Sequence, residues 1–245
     1  VGVDVCAVDL YWIPLGAGAG GELVRISGRL YEAIAAALSR RARRDLYHSA
    51  LEVTIDASRA VIEMAPVWTK TGERGVVVEG PVGSPLLGRS RLFRYEVRCW
   101  EGGVIPDASA AVGGPRRVSI DRAVAERVVA AVREFPARTW GRDEAGTGEM
   151  WNSNSLVSWL LARAGLDMSA IGPPPGGRAP GWDAGLAVAG RCRDVEHLGF
   201  VHPQLRARAV RSPRVRAAPP SGSGTQPSPP APARPGPTDR SGSRT

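Results

Sequence analysis

The period with which apolar side chains recur changes several times along this chain, and each change marks an element. Asp9 to Leu15 is dense in large apolar and aromatic side chains and predicts a strand that ends at a glycine-rich stretch, Gly16 to Gly21. Leu30, Ile34, Ala37 and Leu38 then recur at helical spacing. Arg40, Arg41, Arg43 and Arg44 follow them, cations suited to the negative end of a helix dipole. Tyr47 to Ile55 alternates as a strand does, Asp56-Ala57-Ser58-Arg59 supplies turn chemistry, and Ala60 to Val67 returns, which together predict a β-hairpin. Val76 to Val78 is a short apolar run. Leu92 to Trp100 predicts another strand, with Phe93, Tyr95, Val97 and Cys99 on one face.

Ser119 can cap a helix that runs through Val124, Val128, Val129 and Val132 to Phe135. A last clear helix starts near Asn152, with Leu156, Trp159, Leu160 and Ala164 as its apolar stripe and Gly165 near its end. Pro173-Pro174-Pro175-Gly176-Gly177 is a stiff loop, after which Leu186 to Ala189 is expected to add one more strand. Strands joined by hairpin turns and followed by helices predict an α+β fold, an antiparallel sheet packed on helices, over a doubly wound parallel sheet.

Composition changes this picture at one boundary. From about Pro203 the chain turns to Pro, Ser, Gly, Ala and Arg with almost no large apolar side chains, so nothing there can offset the entropy of ordering. The expected organisation is a folded domain over residues 1–203 and a disordered basic tail over 204–245. The net charge of +8 belongs mostly to that tail, where eight arginines stand against one aspartate and leave +1 for everything before it. Phosphate tracking by the folded part is therefore not expected, because a nucleic-acid-binding fold carries its positive charge on its own surface. The tail suits a tether or an electrostatic anchor to acidic partners. No run reaches the roughly 20 apolar residues of a membrane helix. Val1 to Val5 lacks the pattern of a secretory signal, so a cytoplasmic address is expected. Cys6, Cys99 and Cys192, odd in number and widely spaced, predict free thiols and neither a disulfide framework nor a paired zinc motif.

Gly16 to Gly21 satisfies the spacing G-x-G-x-x-G of a dinucleotide-binding loop. The chemistry also needs a helix amino terminus directly afterwards and a second, parallel strand with an acid for the ribose. Ser27-Gly28 interrupts the would-be helix and the next strand turns back as a hairpin, so a plain loop is the stronger expectation.

Histidine is scarce. His197 and His202 have no carboxylate or thiol cluster at ligand spacing and read as surface residues, whereas His48 opens a strand that would hold its imidazole rigidly. Far along the chain comes Glu149-Met150-Trp151-Asn152-Ser153-Asn154-Ser155. A nucleophile in the first turn of a helix feels the positive end of the dipole, and unpaired N–H groups there can support an oxyanion. Asn and Ser are equally the common amino-terminal caps.

A strand-borne histidine followed by a helix that begins Asn-Ser-Asn, over residues 45–165, resembles the circularly permuted papain-like fold of the PPPDE peptidases, the lecithin retinol acyltransferase relatives and the permuted NlpC-type hydrolases, whose helix begins Asn-Cys-Asn. The stretches Leu-Tyr-His, Gly-Glu-Met-Trp-Asn-Ser-Asn-Ser and Gly-Gly-Arg-Ala-Pro-Gly-Trp-Asp-Ala-Gly also resemble uncharacterised actinobacterial proteins, a likeness that brings no activity. Carried across, the first resemblance implies His48 as general base, Ser153 in the place of the nucleophilic Cys, and amides around Asn152 to Asn154 for the oxyanion. A serine hydroxyl is far less acidic than a thiol, so the scaffold can persist without the reaction. Glu52 and Glu63, expected to face one another across the hairpin, are the candidates to orient His48. Cys99 reads as a core residue. Trp151 lies beside the cap, and Trp182 and Arg178 sit in a Gly/Pro-rich loop, where Trp182 is either an aromatic groove wall or a core plug.

Three functions follow as expectations. One is a papain-like cleft that binds a peptide, an acyl-bearing small molecule or a partner protein with weak or no catalysis. Another is a hydrolase or acyltransferase using Ser153 and His48. The last is nucleotide binding through Gly16 to Gly21. No metal or organic cofactor is implied.

Overall fold

The computed structural model describes residues 5–17, 44–67 and 75–201, with side chains described as far as residue 192. These residues belong to the first of two units into which contacts divide the chain, Val1–Val201. The expected helix over Leu30 to Leu38, Gly18 to Gly21, the side chain of His197, His202 and the tail all lie outside the described residues.

The domain is α+β. Six strands, β1 (Cys6–Pro14), β2 (Tyr47–Ile55), β3 (Ser58–Pro66), β4 (Val76–Pro81), β5 (Arg94–Glu101) and β6 (Arg116–Ser119), form one antiparallel sheet in the order β4-β5-β3-β2-β1-β6. The β2–β3 hairpin turns at Asp56, whose positive φ of 55° suits the side chain that best tolerates the left-handed region after Asn. Three helices follow among the described residues: α1 (Arg122–Ala131), α2 (Ser153–Arg163) and α3 (Trp182–Val201). Among the described residues no helix is long and apolar enough to cross a membrane.

Side chains alternate across a strand, and the burial pattern shows which face each set takes. Val8, Leu10 and Trp12 of β1, Tyr47, Leu51 and Val53 of β2, Ile62 and Met64 of β3, and Tyr95 and Val97 of β5 join one core with Val128, Leu156, Trp159 and Leu160 of the helices. The opposite face carries a smaller cluster, Tyr11, Ile13, Ala50, Val61 and Ile105, flanked by ion pairs. Asp9 takes a two-bond contact from Arg117, Glu52 pairs with Arg59, and Arg98 holds both Glu63 and Glu96. β1 is buried on both faces, which is why its sequence reads as an almost unbroken apolar run.

Every residue of α2 except Arg163 is buried, so the helix is the centre of the domain and not a surface element. α3 packs beside it. Here the structure corrects the sequence: Leu186 to Ala189 lies within α3 and forms no strand. Trp182, Ala184, Gly185, Val188 and Ala189 are buried at helical spacing, a stripe interrupted in the sequence by glycines that lower helix propensity. Gly185 is required by the packing, because a Cβ there would lie 2.1 Å from the Ser158 Oγ and 2.3 Å from the Ser155 carbonyl. Two smaller corrections concern caps and edges. Asp121, not Ser119, caps α1 by accepting from the Ala123 and Val124 amides. Phe93 precedes β5 in a short 3-10 turn and is exposed, so only Tyr95, Val97 and Cys99 share the inward face.

Candidate functional site at the start of helix α2

A helix buried all round must satisfy its polar side chains internally, since a buried donor or acceptor without a partner costs about 1–3 kcal/mol. The first turns of α2 carry Ser153, Asn154, Ser155 and Ser158, all buried. Three of them reach outward to neighbouring elements. Asn154 donates to the Tyr47 carbonyl and the Pro180 carbonyl, each at 2.9 Å, and accepts from the Ser49 hydroxyl at 2.8 Å. The Ser155 hydroxyl donates to the Gly181 carbonyl at 2.8 Å, and the Ser158 hydroxyl to the Trp182 carbonyl at 2.7 Å. The helix start is thereby sewn to β2 on one side and to the start of α3 on the other.

Asn152 is the cap. Its Oδ1 accepts from the Asn154 amide at 2.9 Å, its own amide donates to Ser155 Oγ at 3.2 Å, and its Nδ2 donates to the Pro180 carbonyl at 2.8 Å. The amides of Asn152 and Asn154, expected from the resemblance to support an oxyanion, are thus engaged within the cap. Ser153 heads the helix and is 7% exposed.

His48 is elsewhere. The register of β2 against β1 runs without a bulge from Cys6↔Ile55 to Pro14↔Tyr47 and pairs His48 with Ile13, on the face that carries Tyr11 and Ala50. Its chain neighbours Tyr47 and Ser49 are the residues turned toward α2. His48 and Ser153 therefore sit on opposite sides of the sheet, and the expected base and nucleophile do not meet. Burial lowers the His48 pKa, opposed in part by the carboxylate of Asp107. Glu52 and Glu63 do not face one another: Val61 lies opposite Glu52, Arg98 lies opposite Glu63, and each glutamate has an arginine partner. Glu52 is four residues from His48 on the same face, about 13 Å along the strand at roughly 3.3 Å per residue. Burial raises the Cys99 thiol pKa, and the three cysteines are free.

The chain matches no family model, no curated protein and no solved structure.

The remaining candidates are core or frame. Trp151 is buried and stacks on Phe135, with ring centroids 5.0 Å apart, and the Arg138 guanidinium lies over the Trp151 ring at 5.5 Å from its centroid. Trp182 is buried against Trp12 at 4.9 Å between centroids, so it plugs the core and walls no groove. Arg178 contributes through its backbone. Its amide donates to the Asp45 carbonyl and its carbonyl accepts from the Tyr47 amide, pinning the Gly/Pro-rich loop to the start of β2. Its guanidinium meets Glu149 at 3.2 Å.

Glu149, Ser49, Ser155 and Ser158 were not singled out from the sequence. Glu149 accepts from the Gly181 and Asp183 amides, placing a carboxylate at the positive end of α3. Ser49 carried a legible signal, since it shares odd-numbered positions with Tyr47, Leu51 and Val53 on the apolar face of β2. β1 and β2 are antiparallel, so the strand before Gly16 does not enter the parallel β-α-β unit that a dinucleotide loop needs. Among the described residues no group of three or more His, Cys, Asp and Glu side chains gathers as a metal site would require.

Proposed function

We propose that this domain acts by binding and not by catalysis, as a scaffold of permuted papain-like type in which His48 does not serve the helix-start serine as a base. The observation that carries the reading is the register of β2, which turns Ser49 and not His48 toward the first turn of α2. Hydroxyl attack needs a base within hydrogen-bond reach of the nucleophile, about 2.6–3.2 Å, and a sheet stands between this imidazole and this hydroxyl. Engagement of the Asn152 and Asn154 amides in the cap supports the same conclusion.

The papain-like part of the proposal draws support from chain order, with an antiparallel hairpin preceding the central helix that begins Asn152-Ser153-Asn154. The ligand classes it implies are a peptide, an acyl-bearing small molecule or a partner protein. The test is labelling of the full chain by a serine-directed fluorophosphonate, with melting monitored to show that the protein is folded. No labelling is expected. Labelling that disappears in Ser153→Ala would replace this reading with a serine hydrolase or acyltransferase.

A further inference from the structure

The connection between β4 and β5 exposes more large apolar surface than any other stretch of comparable length among the described residues. Leu86 and Leu92 are 79% and 70% exposed, and Leu87 and Phe93 are also exposed. Monomeric surfaces show single apolar residues commonly, but four within eight positions make a patch that calls for a partner. Exposures this high mean that the leucines project from the surface instead of lining a groove.

The same segment carries Arg89 and Arg91, both exposed and neither in an ion pair among the described residues. The acids that flank the segment in sequence, Glu79 and Glu96, are each held by an arginine, Arg94 and Arg98 respectively. The tip is therefore apolar and basic together, with no acid between Gly80 and Tyr95. Part of its backbone is also satisfied internally. The amides of Leu87, Gly88, Ser90 and Phe93 donate to the carbonyls of Ser84, Pro85, Leu87 and Ser90, and the Val82 amide closes the base of the loop onto the Phe93 carbonyl.

We propose that this loop, residues 84–93, docks the domain onto an anionic lipid surface. Projecting leucines and a phenylalanine suit the acyl boundary of a bilayer, and arginines interleaved among them lie at the depth of the phosphate groups while their stems stay with the apolar side chains. Internal turns lower the number of open amides the loop would carry into that boundary. A protein partner would need a pocket for each projecting side chain, whereas a lipid surface deforms around them. The Arg-rich residues after 203 add a second, purely electrostatic attraction, and two weak signals together are what stable peripheral attachment requires.

The test is flotation of the full chain with vesicles of phosphatidylcholine alone and of phosphatidylcholine mixed with phosphatidylglycerol. The wild type should float with the mixed vesicles and only weakly with the neutral ones. Leu86→Ser with Leu92→Ser should lower partitioning about tenfold or more with an unchanged melting temperature. Arg89→Glu with Arg91→Glu should abolish the preference for the mixed vesicles contributed by the loop, read in a chain whose eight tail arginines are replaced by serine. Unchanged flotation of the leucine variant would assign binding to the tail and overturn the proposal. So would absence of wild-type flotation, whether the patch proves instead to pair two copies in sedimentation equilibrium or to retain the chain on an acidic polypeptide.

Discussion

The Ser49 hydroxyl donates to Asn154 Oδ1 at 2.8 Å in a place almost closed to solvent, joining β2 to α2. Asn154 spends its remaining hydrogen-bonding capacity on the Tyr47 and Pro180 carbonyls. Its replacement by Ala orphans the Ser49 hydroxyl and the Tyr47 carbonyl, and should cost about 2–4 kcal/mol of folding stability in urea titration. Ser49→Ala removes one bond and should cost about 1 kcal/mol. The two losses should fall short of adding, because the second substitution finds its partner already gone.

Close approach of α2 and α3 depends on Gly185. Gly185→Ala forces a methyl into Ser158 and the Ser155 carbonyl, and should destabilise by about 2–3 kcal/mol. Gly190, later in the same helix, has nothing within 4 Å of an added Cβ. Gly190→Ala should instead stabilise by about 0.5–1 kcal/mol through helix propensity alone. Thermal melts of the two variants in one buffer check the contrast.

His48 gives stability a pH dependence whose sign follows from its environment. Burial holds its folded-state pKa below the ordinary 6.5, so the unfolded chain binds the proton more tightly. Above that value the group has no effect; below it stability falls, by up to about 1.4 kcal/mol per pH unit, until the folded imidazole also protonates. Asp107 moderates the fall by favouring the charged ring. Chemical denaturation between pH 7 and pH 5 should show a shallower decline in His48→Gln than in the wild type.

Much of the sheet was legible because strand alternation is local. Tyr47 to Ile55 and the hairpin after it appear where the pattern puts them, and the start of α2 at Asn152 follows from its cap. What the alternation also contained, and what was not drawn from it, is the face of each residue. His48 and Ser49 are neighbours on opposite faces, and the odd-numbered apolar positions of β2 already assign the inner face to Ser49. α3 was illegible for a different reason. Its Gly185 serves a helix–helix contact, a tertiary demand that overrides local propensity and leaves Leu186 to Ala189 looking like a short strand. Glu149 was missed because its partners, the Gly181 and Asp183 amides, lie about thirty residues away in sequence and become neighbours only in the folded chain.

The separation of His48 from Ser153 is tested most directly by Ser153→Cys. The rate of alkylation of Cys at that position by iodoacetamide should be measured across pH, in that variant and in the same variant carrying His48→Ala, with Cys6, Cys99 and Cys192 replaced by Ser or Ala in both. If the sheet stands between the two side chains, the profiles coincide and reflect only the helix start. A faster reaction near neutral pH that is lost with His48 would contradict the account.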